Sequence, residues 1–147
     1  MKVKEIMKKD VISLKPDDRA KDALAILLKM QISGLPVIDE QRRLLGMFTE
    51  KEILSKILPG YIKNVGAFVY EEDDKAADQK IINFSKLKVK DVMRKEVVAV
   101  EEDAAVYEAA HLMLMQKARR IPVLNKTKEV VGIIARVDVV NSLFGGK

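Results

Sequence analysis

Residues Lys2–Ile57 repeat at Lys88–Leu143 with an offset of 86 and no gap. "KVKEIM" meets "KVKDVM", Val11 meets Val97, Asp17 meets Asp103, Pro36-Val37 meets Pro122-Val123, and Gly46 meets Gly132. Twelve of the 56 aligned positions are identical, and many others exchange one apolar residue for another. A duplication of this length halves the folding problem, because whatever one copy forms the other must form too.

Each copy predicts the order β-α-β-β-α. A short β-branched run ("DVISL", "EVVAV") reads as a strand and is followed by a helix over Asp18–Met30 or Ala104–Met115. Ala20, Ala23, Leu24 and Leu27 in one copy, and Val106, Ala109, Ala110 and Met113 in the other, fall on one helical face. Two more strands follow ("LPVID" and "RLLGMFT"; "IPVLN" and "EVVGIIA"), then a closing helix ("EKEILSKI", "RVDVVNSL"). Ile26, Leu28 and Met30 widen the apolar arc of the first helix to roughly 200°, more than one buried face needs. Met115 sits on what should be the polar face of its counterpart, either exposed by chance or as a dimer contact. His111, off the main apolar stripe, reads as a surface or interface residue, and Gly145-Gly146 as a frayed end.

The domain organisation expected is a first unit at 1–58, an inter-repeat insertion at 59–87 and a second unit at 88–147. Tyr61, Ile62, Val65, Phe68 and Val69 have helical spacing, so the insertion is expected to be partly helical. Its acidic run Glu71–Asp74 reads as a solvated turn or helix start, because consecutive carboxylates point in different directions.

Composition narrows the function. The chain has no cysteine and one histidine, which removes thiolate chemistry and a His-based metal site. No nucleophile–base pair or glycine-rich phosphate loop is visible, so an enzyme is not expected. The N-terminus lacks a continuous apolar stretch and nothing approaches a membrane span, so a cytoplasmic protein without membrane contact is expected. The net charge of +5 comes from lysines and arginines scattered among 22 acids, with 5% aromatics, so nucleic acid is not expected as the main partner.

The duplicated "KVKDVM", strand, "PV" strand and Gly-x-x-Thr-x-x-Asp-like element resemble tandem CBS domains, named for cystathionine β-synthase, over both repeats. The resemblance implies an α/β (α+β-like) fold of two tandem β-α-β-β-α units packed sheet to sheet about a pseudo-twofold axis, a stand-alone Bateman module. It also implies a regulatory module sensing AMP, ADP, ATP or S-adenosylmethionine in two clefts between the units. No cofactor is required, a homodimer is expected, and a separate regulated protein is a further expected partner. In one cleft Asp138 would accept hydrogen bonds from the ribose hydroxyls. Arg119 and Arg120 would hold phosphate there, with the base near Ile12, Ile32 and Ser33. The second cleft would take Thr49 and Glu52, walled by Val98, Ala99 and Ala118.

Two departures from the family pattern bear on the site. Glu52 stands where Asp is usual, and Thr49-x-x-Glu52 is also a capping box that explains both residues without a ligand. Ala135 replaces the threonine of the second copy and cannot cap, so Asp138 is not expected to be half of such a box. The alternative functions are a dimerisation or interaction module with vestigial clefts, and nucleic-acid binding through the basic surface.

Overall fold

The computed structural model describes residues 1–58 and 74–145. The helical pattern expected across 61–69, Glu71–Asp73 of the acidic run, and Gly146 lie outside the described residues. The elements are α1 (Ala20–Met30), β1 (Gly34–Ile38), β2 (Leu44–Thr49), α2 (Glu50–Ile57), α3 (Asp74–Ser85), α4 (Val89–Val92), β3 (Val100–Glu101), α5 (Val106–Met115), β4 (Arg120–Leu124), β5 (Val130–Ala135) and α6 (Arg136–Phe144). The fold is mixed α/β, with β1–β2 in one small sheet and β3–β4–β5 in the other. Asp74 opens α3, so the insertion contains a helix over Asp74–Ser85.

The chain forms two compact units that do not coincide with the sequence repeats. The α1/α2 unit comprises Leu14–Val37 and Gly46–Lys95; the α5/α6 unit comprises Met1–Ser13, Ile38–Leu45 and Glu96–Lys147. Each repeat's leading "KVK" segment therefore builds into the unit that holds the other repeat's helices. In the α5/α6 unit, Val3 is fully buried in a cluster with Val100, Val106, Ala109, Ile121 and Ile134. In the α1/α2 unit, Val89 is equally buried. Burying one such side chain stabilises by roughly 1.5–3 kcal/mol, which contributes to holding each segment in place.

Hydrogen bonds repeat the exchange with the same pattern. Lys8 and Ile133 exchange both backbone bonds (2.8 and 2.9 Å), adding a rung to β5; Arg94 and Met47 do the same (2.8 and 2.9 Å) at β2. The glycines facing those rungs are there for space. A Cβ on Gly46 would lie 2.6 Å from the Arg94 carbonyl oxygen, and one on Gly132 would press on the Met7 sulfur.

The exchange also explains where the helices start. α1 and α5 begin two residues later than expected, at Ala20 and Val106. The preceding residues are already paired: the Asp18 carbonyl accepts from Val89 N–H (2.8 Å), and the Ala104 carbonyl from Val3 N–H (2.8 Å). The expected first strands shrink similarly, to a single parallel bridge at Leu14–Val37 and to the two residues of β3.

The backbone is alike in both copies even where the residues differ. Gln31 and Lys117, and Arg42 and Lys128, are repeat-equivalent pairs, and all four have φ between 53° and 66°. Non-glycine residues adopt this region rarely, so its recurrence at matched positions reflects the shared fold. In the hairpin turns, Asp39 Oδ1 accepts from the N–H groups of Gln41 and Arg43, and Asn125 Oδ1 from those of Thr127 and Glu129.

Candidate ligand-binding site

Both units place a strand end beside a helix start. In the α1/α2 unit the Ser33 carbonyl accepts from Glu50 N–H (2.9 Å), joining the residue before β1 to the first turn of α2. In the α5/α6 unit the equivalent Arg119 carbonyl accepts from Arg136 N–H (3.0 Å), joining the residue before β4 to α6. The two clusters of polar side chains at these junctions are the candidate site residues.

In the α5/α6 unit, Arg120 pairs across the sheet with Ala135, and Asp138 is three residues further, in the first turn of α6. Arg119, Arg120 and Asp138 are thus brought to one edge of the same unit, with Arg119 exposed and the other two half-buried. Arg136 Nε donates to the Ala118 carbonyl (3.0 Å), which draws a third guanidinium to this edge. Arg119 and Arg120 make no ion pair among the described residues. Val98 and Ala99, both half-buried, lead into β3, which runs parallel to β4. Ile12 also belongs to this unit and is exposed.

Ile32 and Ser33, both half-buried, belong to the α1/α2 unit together with Thr49 and Glu52. Thr49 Oγ1 accepts from Glu52 N–H (3.3 Å), the forward half of the expected capping box. The return bond, from Thr49 N–H to the Glu52 carboxylate, is not formed.

The second copy corrects an expectation. Asp138 Oδ2 accepts the Ala135 N–H (2.9 Å), the return half of the arrangement, although Ala135 offers no forward half. The reason is that the return bond needs only the backbone N–H of the residue before the helix, which alanine has. Its other oxygen, Oδ1, makes no hydrogen bond among the described residues. One helix start is closed by its threonine and the other by its carboxylate, so each retains one half of a reciprocal pair.

A second feature lies on the helices. Between α5 and α6 there is a largely apolar groove of about 220 Å³ lined by Ala110, Met113, Leu114, Arg136, Val139, Val140 and Leu143. Exposed apolar side chains recur at repeat-equivalent positions: Leu28 and Leu114 are 69% and 74% exposed, Leu54 and Val140 56% and 53%. Met115 and His111 are exposed as well. Among the described residues no cluster of His, Cys, Asp or Glu is arranged to hold a metal, and no helix is long and apolar enough to cross a membrane.

The pattern of the CBS domain matches residues 3–59 and 89–145, one match for each repeat. The chain belongs to the CBS domain family. It is 31% identical over 138 residues to inosine-5'-monophosphate dehydrogenase of Methanocaldococcus jannaschii, a match covering 94% of this chain and 23% of that enzyme. It is 29% identical to uncharacterized protein MJ1426 of the same organism, covering 98% of this chain and 92% of that protein. The chain thus spans about a quarter of one curated relative and nearly all of another. Among solved structures it resembles CBSX2 in complex with AMP, at 27% identity and a TM-score of 0.74 over 98% of this chain and 96% of that one.

Proposed function

We propose that this CBS pair is a regulatory module that senses an adenosine-containing nucleotide. The observation that carries the reading is the edge of the α5/α6 unit. Among the described residues Asp138 keeps one carboxylate oxygen clear of hydrogen bonds, and no carboxylate pairs with Arg119 or Arg120 at the same edge. The AMP complex of CBSX2 supports an adenosine ligand. In this reading Asp138 accepts from ribose hydroxyls, the arginines hold phosphate by charge-assisted hydrogen bonds, and Ile12, Ile32 and Ser33 contact the base. Thr49, Glu52, Val98, Ala99 and Ala118 serve a second ligand. Repeats 1–58 and 88–147 work as one Bateman module around the 59–87 insertion. The module is not itself an enzyme, acts in the cytoplasm, needs no cofactor, and transmits ligand binding to a separate regulated protein.

Ligand binding shifts a conformational equilibrium only through different affinities for its two states. The test is thermal unfolding against AMP, ADP, ATP, S-adenosylmethionine and free phosphate. A ligand at a hundred times its dissociation constant stabilises the native state by about 2.7 kcal/mol, a rise on the order of 8 °C for a chain of this size. Asp138→Asn retains an acceptor for the Ala135 N–H but removes the charge and the second carboxylate oxygen, so its ligand-induced shift should shrink while its unliganded stability changes little. An equal shift in wild type and variant overturns the role given to Asp138.

A second reading concerns assembly. Matched exposure of Leu28 with Leu114 and of Leu54 with Val140 supports a homodimer that covers both helix pairs. Sedimentation of the wild type against Leu114→Glu/Val140→Glu tests it: a dimer that the variant dissociates is expected, and a monomeric wild type at micromolar concentration rules it out.

A further inference from the structure

The two strand-end and helix-start junctions have the same backbone and opposite charge. Ser33, Gly34, Glu50 and Glu52 in one are the repeat equivalents of Arg119, Arg120, Arg136 and Asp138 in the other. The hydrogen bond that closes each junction is the same, 2.9 Å at Ser33–Glu50 and 3.0 Å at Arg119–Arg136. On that shared frame one edge carries three cations against one anion. The other carries two anions and no cation at the equivalent positions, and remains acidic when Lys51 in the same turn is counted. None of these charged side chains has an ion-pair partner among the described residues, so neither edge is neutralised by an ion pair within them.

We propose that the two ligand sites take different chemical classes. The edge with Arg119, Arg120 and Arg136 binds the phosphorylated nucleotide. The edge with Thr49, Glu50 and Glu52 binds an adenosine compound without phosphate, neutral or positively charged. This rests on the adenosine-sensing reading above and divides it. Both helix starts present roughly half a positive charge to an anion, so backbone alone would make the sites alike. At α2 the two glutamates outweigh that half charge, and a phosphate there would meet like charge with no guanidinium to bind it. At α6 each arginine supplies charge-assisted hydrogen bonds that a bare nucleoside cannot use.

Calorimetric titration of the full chain with adenosine, AMP and ATP tests the division. AMP and ATP are expected to fill one site per chain, and protein saturated with AMP is expected to take up one further equivalent of adenosine. Arg119→Ala/Arg120→Ala should weaken AMP at least about tenfold and leave the further adenosine site unchanged. Glu50→Arg should raise the AMP stoichiometry from one per chain to two. AMP filling two sites per chain with equal affinity in the wild type overturns the division but leaves the adenosine-sensing reading standing. If adenosine, AMP, ADP, ATP and S-adenosylmethionine all fail to bind, both fall together.

Discussion

The two repeats are nearly interchangeable as backbone and sharply different as surfaces for chemistry. The positive-φ residues, the turn-closing Asp39 and Asn125, the space-giving Gly46 and Gly132 and the exchanged "KVK" segments all occur in register. The side chains at the two helix starts do not match: Thr49 closes one, Asp138 the other, and the charges around them reverse. Packing constrains both copies to the same interior, whereas a solvent-facing edge can change its charge at little cost in stability. The charge reversal between the copies therefore falls on the solvent-facing edges at the two helix starts.

The comparison is sharpest at the paired glycines. Gly46→Ala should destabilise by about 3 kcal/mol, since its Cβ would meet the Arg94 carbonyl, a backbone atom already held by β2. Gly132→Ala should cost about 1 kcal/mol, because its nearest obstacle is the flexible end of Met7. Chemical denaturation of both variants measures the difference, and equal losses would mean that the rungs yield alike.

Val3→Ala and Val89→Ala test the exchange itself. Both side chains are fully buried, so each should cost about 2 kcal/mol. Hydrogen exchange should show Val3→Ala loosening β4 and β5, and Val89→Ala loosening α1. Loosening of β1 and β2 by Val3→Ala instead would contradict the segment's place in the α5/α6 unit.

At the helix starts, Thr49→Ala removes the Oγ1 acceptor for Glu52 N–H and should lower stability by about 1 kcal/mol, read from the denaturation midpoint. A loss near zero would show that water replaces this cap.

The smallest effect is electrostatic. Lys90, by hydrogen bond and charge, holds Asp17 below the usual carboxylate range, and Lys4 does the same for Asp103. Because both folded-state values are depressed, the stability they add is present above the unfolded value of 3.8 and is lost as pH falls through the folded values. Asp17→Asn/Asp103→Asn should flatten the decline of the unfolding temperature below about pH 4 and change little at neutral pH, since exposed pairs contribute weakly. An unchanged acid limb would remove these pairs from the account.

Much of this was legible in the sequence. The resemblance to CBS domains singled out Ser33, Thr49, Glu52, Arg119, Arg120 and Asp138, whereas the offset of 86 exposed the duplication and periodicity placed α1, α2, α5, α6 and both hairpins within it. Local pattern suffices for these, since apolar spacing and β-branched runs report on neighbours a few residues away. Tertiary structure alone decided which "KVK" segment completes which unit, because the two segments are almost identical and no local signal says which core each will fill. It also decided the late starts of α1 and α5, set by bonds from Val89 and Val3, and the bond from Ala135 to Asp138, which depends on a backbone N–H that every residue except proline carries. Residue identity could therefore not announce it.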